Sequence, residues 1–102
     1  MQVECHTFQL LCDNVTMYYV YLLKSEKNGR MYTGYTSDLK QRMTDHNSGK
    51  SSYTRSNRPY RLVYYEAFAS KSDAQKRERN LKLRSNASAQ LRKRISESIN
   101  ES

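Results

Sequence analysis

The chain has 102 residues, 36% of them hydrophobic, with nine tyrosines, two cysteines and a formal charge of +8. That length supports one compact domain with a modest core and excludes a second domain. No stretch is apolar for long enough to span a membrane. The basic balance and the tyrosine content point to a polyanionic partner met partly by stacking, nucleic acid before any other. Nothing in the composition calls for an oligomer, so a monomer is the default expectation.

Residues 1–16 are expected to be a disordered leader, and residues 17–99 the domain, with 100–102 a tail. Residues 1–17 hold Glu4 and Asp13 but no Lys or Arg, so the remaining residues carry +10. Both Cys5 and Cys12 lie in the leader, where a disulfide could not staple the core, and a reducing, cytoplasmic setting fits that placement. With His6 they match no common zinc spacing. The leader has no basic start and no continuous apolar run, unlike a signal peptide.

From Tyr18 to Leu23 the residues are aromatic, branched or long and apolar, which favours a strand. Asn28-Gly29 supplies the positive φ values of a tight hairpin turn, so residues 30–35 are expected to return antiparallel. With Asn28 and Gly29 as the two central turn residues, paired positions sum to 57. Side chains alternate along strands, so Tyr21 and Tyr32 share a face in that register without being directly opposite. Bringing them into contact requires a longer loop and a shift by an even number of residues.

Ser37 is the expected N-cap of a helix over about 38–48, with Asp38 at the positive end of its dipole and Gly49 closing it. Leu39, Met43 and His46 form its buried stripe, with Arg42 alongside. The polar segment 48–61 reads as a basic loop whose Lys50, Arg55, Arg58 and Arg61 are candidate phosphate contacts. A third strand is expected over 62–68. Ser72 and Gln75 are read as a capping box for a helix over about 71–84. On that helix Ala74, Glu78 and Leu81 share a face, and a carboxylate between two apolar positions is costly unless paired or binding a cation. A last amphipathic helix over 87–99 uses Ala87, Leu91, Ile95 and Ile99, with Arg92-Lys93-Arg94 as a solvated face.

Hydrolysis of a phosphodiester requires an activated water and neutralisation of the charge that develops on the phosphoryl oxygens. Glu78, preferred over Glu66 and Asp45, can hold a single Mg²⁺ or Mn²⁺ that keeps most of its waters. Arg42 presents a planar fork to phosphate. Tyr21 or Tyr32 can deprotonate the water if the ion and Arg42 lower the phenol pKa, and His46 can relay a proton or orient a tyrosine.

These residues carry a family resemblance. Tyr19-Val20-Tyr21, then Tyr32-Thr33-Gly34, then Arg42-x-x-x-His46, then Arg77-Glu78 with Leu81-Lys82 behind, resemble in order the motifs of the GIY-YIG endonucleases over roughly residues 17–84. The resemblance implies an α+β fold, a small three-stranded antiparallel sheet flanked by helices. It also implies a divalent-metal-dependent nuclease acting on DNA, of a structured or damaged kind as in repair or recombination. It assigns metal binding to Glu78, phosphate to Arg42, and base or orienting roles to Tyr21 and Tyr32. His46 stands where some members have a catalytic histidine. The chain departs from the pattern at Tyr19, which replaces a glycine, and at Gln90, where members often have asparagine. The rival expectation is a nucleic-acid-binding module, for DNA or RNA, without turnover.

Overall fold

The computed structural model describes residues 16–101, so residues 1–15 of the expected leader, Cys5 and Cys12 among them, lie outside the described residues. Three strands, β1 (Tyr18–Ser25), β2 (Met31–Thr36) and β3 (Tyr60–Phe68), form one antiparallel sheet in the order β2-β1-β3. Helix α1 (Leu39–Ser48) lies between β2 and β3 in sequence. Helices α2 (Lys71–Leu83), α3 (Ser85–Arg94) and α4 (Ser96–Asn100) follow β3. The architecture is α+β, as the residue pattern implied.

The central strand has two buried faces, and each is covered differently. Val20 and Leu22 pack against Ala74, Leu81 and Leu91 of α2 and α3. Tyr21 and Leu23, pointing the other way, pack with Tyr60, Tyr32, and Leu39 and Met43 of α1. This two-sided covering makes β1 almost wholly apolar or aromatic instead of alternating with polar residues.

The hairpin is longer than a two-residue turn. The Ser25 N–H donates to the Arg30 carbonyl at 2.8 Å, leaving Glu26 to Gly29 as the loop, and Tyr21 pairs with Gly34 while Leu23 pairs with Tyr32. Paired numbers thus sum to 55, an even shift that preserves the shared face and makes Tyr21 and Tyr32 diagonal neighbours. The shift has a tertiary cause. Ser25 is buried, its hydroxyl donates to the Asn57 carbonyl and accepts the N–H groups of Lys27 and Asn28, and Asn28 Nδ2 donates to Asn57 Oδ1 at 2.8 Å. The loop is therefore moulded against the segment before β3.

Three helix boundaries differ from expectation. Asp38, not Ser37, caps α1 by accepting the Gln41 N–H, and Ser70, not Ser72, caps α2 by accepting the Asp73 N–H. Several side chains at each end could cap, and the choice falls on the one that lets Leu39 or Ala74 face the sheet. The C-terminal segment is two helices, interrupted at Ile95, and not one over 87–99. Gly49 closes α1 with φ of 89°, as expected.

Strand β3 carries a bulge. Leu22 pairs with Tyr64 but Leu23 pairs with Leu62, leaving Val63 as the extra residue. Tyr60 and Leu62 consequently pack on the α1 side, whereas Tyr64 and Phe68 pack on the α2 side. No helix among the described residues is long and apolar enough to cross a membrane.

Candidate active site

The α1 face of the sheet is built around a histidine. His46 is 0% exposed, and the rings of Tyr32, Tyr21 and Tyr60 surround it at centroid distances of 5.1, 5.7 and 6.2 Å. Both ring nitrogens are satisfied: Nε2 is 2.8 Å from the Tyr21 hydroxyl and Nδ1 is 2.7 Å from the Thr54 hydroxyl. Each hydroxyl can donate or accept, so either neutral tautomer fits. Burial, then the Arg42 charge, lowers the His46 pKa, keeping the ring neutral. The sequence pattern placed His46 in the buried stripe of α1, and the structure buries it fully beneath three tyrosine rings.

Tyr21 depends on Gly34. A Cβ added to Gly34 would overlap the Tyr21 hydroxyl and Cζ and lie 2.9 Å from Cε2. Only a glycine opposite Tyr21 leaves its ring room to reach His46, which gives the last letter of Tyr32-Thr33-Gly34 a steric reason. Tyr21 and Tyr32 lie with ring centroids 6.4 Å apart. Burial pushes the Tyr21 hydroxyl up to about 12; Arg42 beside it pulls the other way, while Tyr32 and Glu78 add to the rise. Arg42 therefore opposes burial of the phenol without overcoming it.

Glu78 is less buried than its neighbours suggested. Ala74 and Leu81 are core residues, but the Glu78 side chain retains 21% of its exposure and pairs with Lys82 at 2.9 Å, one helical turn on. Lys82 Nζ also lies 5.6 Å from the centre of the Tyr32 ring. The competing acids are otherwise engaged. Glu66 takes a forked contact from Arg77, at 2.8 Å from one guanidinium nitrogen, and accepts the Tyr64 hydroxyl on the α2 face of the sheet. Asp45 accepts Gln41 Nε2 and lies 3.8 Å from Arg42.

The basic segment divides. Arg55 donates to the Gly49 carbonyl, Arg58 lies against Gly49, and Lys50 is exposed. Arg61 is turned elsewhere: it pairs across the sheet with Lys24, on the face opposite Tyr21, and donates to the carbonyls of Ser98 and Ile99. Its structural partner is the end of α4. Tyr19 packs edge to face on Tyr65, and Gln90 and Asn86 are exposed on α3.

Thr54 and Tyr60 belong to this cluster and were not singled out from sequence, and Lys82, named there as following Glu78 in the motif, was given no role at the site. Lys82 had a legible signal, the i,i+4 spacing from Glu78. Thr54 and Tyr60 had none, since tertiary packing alone brings them to His46.

A divalent ion of the kind implied by the motifs is compatible with the donor set. Among the described residues no three His, Cys, Asp or Glu side chains gather into a metal cage. Glu78 is a single, part-exposed carboxylate, which suits Mg²⁺, an ion that commonly binds one or two carboxylates and retains water.

The comparisons with known proteins agree with the motifs. The family model of the GIY-YIG catalytic domain matches residues 17–95. A UPF0213 protein of Staphylococcus haemolyticus is 47% identical over 66 residues, 64% of this chain and 79% of that protein. A UPF0213 protein of Clostridium perfringens is 46% identical over 67 residues, 65% of this chain and 71% of its own length. The solution NMR structure of the UPF0213 protein BH0048 from Bacillus halodurans is 43% identical with a TM-score of 0.47, covering 74% of this chain and 81% of that one. With the family match spanning both strands of the hairpin, α1 and α2, the chain belongs to the GIY-YIG family, a family of nucleases.

Proposed function

We propose that this chain is a divalent-metal-dependent endonuclease that hydrolyses phosphodiester bonds in DNA, of the structured or damaged kind handled in repair and recombination. The observation that carries this reading is the convergence on one sheet face of Tyr21, Tyr32, Arg42 and His46, with the Glu78 charge felt at the Tyr21 hydroxyl.

Arg42 binds the scissile phosphate through its guanidinium fork and neutralises charge on the non-bridging oxygens. Tyr21 takes the proton of the attacking water. Arg42 beside it favours the phenolate, and His46, fixed by Thr54, holds the hydroxyl in place. Tyr32 lies beside Tyr21, with ring centroids 6.4 Å apart, and is the second candidate to orient the water. Glu78 would hold Mg²⁺ or Mn²⁺ in place of its contact with Lys82. When bound, the ion supplies Lewis-acid polarisation of a phosphoryl oxygen.

One observation favours a binding module without turnover: the Glu78 carboxylate already has a cation in Lys82. Incubation with branched, nicked and linear DNA, and with RNA, in Mg²⁺, Mn²⁺ or EDTA separates the two. Cleavage in Mg²⁺ that disappears in EDTA and in Glu78→Gln, with DNA binding retained, is the expected result. Binding without cleavage in either metal sinks the enzyme, and full activity in Glu78→Gln sinks the mechanism.

A further inference from the structure

Beside the candidate active site lies a cavity of about 620 Å³, bordered by Tyr32 on β2, Tyr53, Lys82 and Leu83 on α2, and Arg92 on α3. Two of its walls are unusual for a free surface. Tyr53 is 86% exposed and Leu83 is 79% exposed, and both face the same hollow. Exposed apolar surface concentrated at one cavity marks a binding site.

The backbone next to Tyr53 is anchored. The following residue, Thr54, is 0% exposed and hydrogen-bonded to His46 at 2.7 Å, so the backbone beside Tyr53 is tied to the same histidine that holds Tyr21. The charged lining residues are both cations, Lys82 and Arg92; Lys82 also pairs with Glu78 at 2.9 Å, and no carboxylate is among the lining residues themselves.

An aromatic ring and an aliphatic side chain flanked by cations fit a planar base carrying a phosphate on either side. A paired base inside a duplex has both faces covered by its neighbours and cannot use such a surface. We propose that this cavity is a subsite for one unpaired DNA nucleobase, stacked on Tyr53, with Lys82 and Arg92 on the adjoining phosphates. The preferred substrate is then DNA with a single-stranded nucleotide next to the bond that is cut. This rests on the nuclease reading and deepens it by naming the feature of the substrate that is recognised.

The test is fluorescence anisotropy in EDTA, with two labelled DNAs of equal length: a fully paired duplex, and a duplex with a single-stranded tail. Tyr53→Ala is expected to weaken binding of the tailed DNA by about 5- to 100-fold and that of the paired duplex by no more than about twofold. Tyr53→Phe retains a stacking ring and keeps near-normal affinity. An abasic nucleotide at the first unpaired position should weaken the normal protein as Tyr53→Ala does, and should add little to that variant. Equal losses on both DNAs, no loss on either, or fully additive effects of abasic site and Tyr53→Ala overturn the subsite while leaving the nuclease reading standing. No binding of either DNA by the unaltered protein overturns both.

Discussion

The two faces of β1 solve the same burial problem in opposite ways. On the α2 side, Val20, Leu22, Ala74, Leu81 and Leu91 meet as plain hydrocarbon. On the α1 side, Tyr21, His46 and Thr54 are equally buried but joined end to end by hydrogen bonds. Hydrocarbon packing is non-directional and tolerates repacking at modest cost. A buried polar chain is directional, and each member removed strands its partner. The lesson is that one strand three layers deep can carry stability on one side and chemistry on the other, with different sensitivities to change.

Tyr21→Phe should have the largest effect and fall on activity, a loss of about 10²–10⁴ in kcat. It also leaves His46 Nε2 without its partner, costing about 1–3 kcal/mol of stability. Burial pushes the Tyr21 hydroxyl up to about 12 in the metal-free protein and the base acts when deprotonated, so cleavage in the unaltered protein should rise with pH through neutrality. A rate flat across neutrality would remove Tyr21 from the base role.

Leu22→Ala, on the hydrocarbon side, should cost about 2–5 kcal/mol in denaturant unfolding. The folded fraction should cut DNA at the normal rate. A matching loss in rate per folded molecule would show the faces to be coupled.

Gly34→Ala sharpens the comparison from the polar side. The added methyl collides with Tyr21, so a loss of about 1–3 kcal/mol is expected together with reduced cleavage, although no polar atom has been removed. Normal activity would mean that the hydroxyl position is not critical.

The smallest effect is a pH slope. The His46 pKa is lowered from 6.5 by burial and by Arg42, so below that pH the unfolded chain takes a proton that the folded chain resists. Stability is fully present above 6.5 and falls as pH drops, by at most about 1.4 kcal/mol per unit. The melting temperature of His46→Gln should lack this component, and an identical slope in the variant would assign it to other groups.

The sequence was most informative where the signal is local. Asn28-Gly29 announced the hairpin, and alternation put Tyr21 and Tyr32 on one face; the loop length escaped because Ser25 is claimed by Asn57, a contact 32 residues away. The face of α1 carrying His46 was legible but its depth was not, since Thr54 and Tyr60 close over it from later in the chain. Glu78 looked buried on its helix because a projection of helix positions ignores how far Lys82 can reach back to it. Arg61 looked like one more cation in a basic loop, yet its strand position turns it toward α4.

The bulge at Val63 gives the last strand a division of labour. With even-numbered residues on both sides of the sheet, β3 sends Tyr60 to His46 and Tyr64 to the Glu66–Arg77 contact. An uninterrupted strand of the same sequence would deliver both tyrosines to one side. The address is therefore set by the extra residue and not by the length: with Val63 removed, Leu22–Tyr64 and Leu23–Leu62 would become neighbouring pairs and both tyrosines would keep their sides, whereas closing the bulge with every residue kept would pull one of them across the sheet.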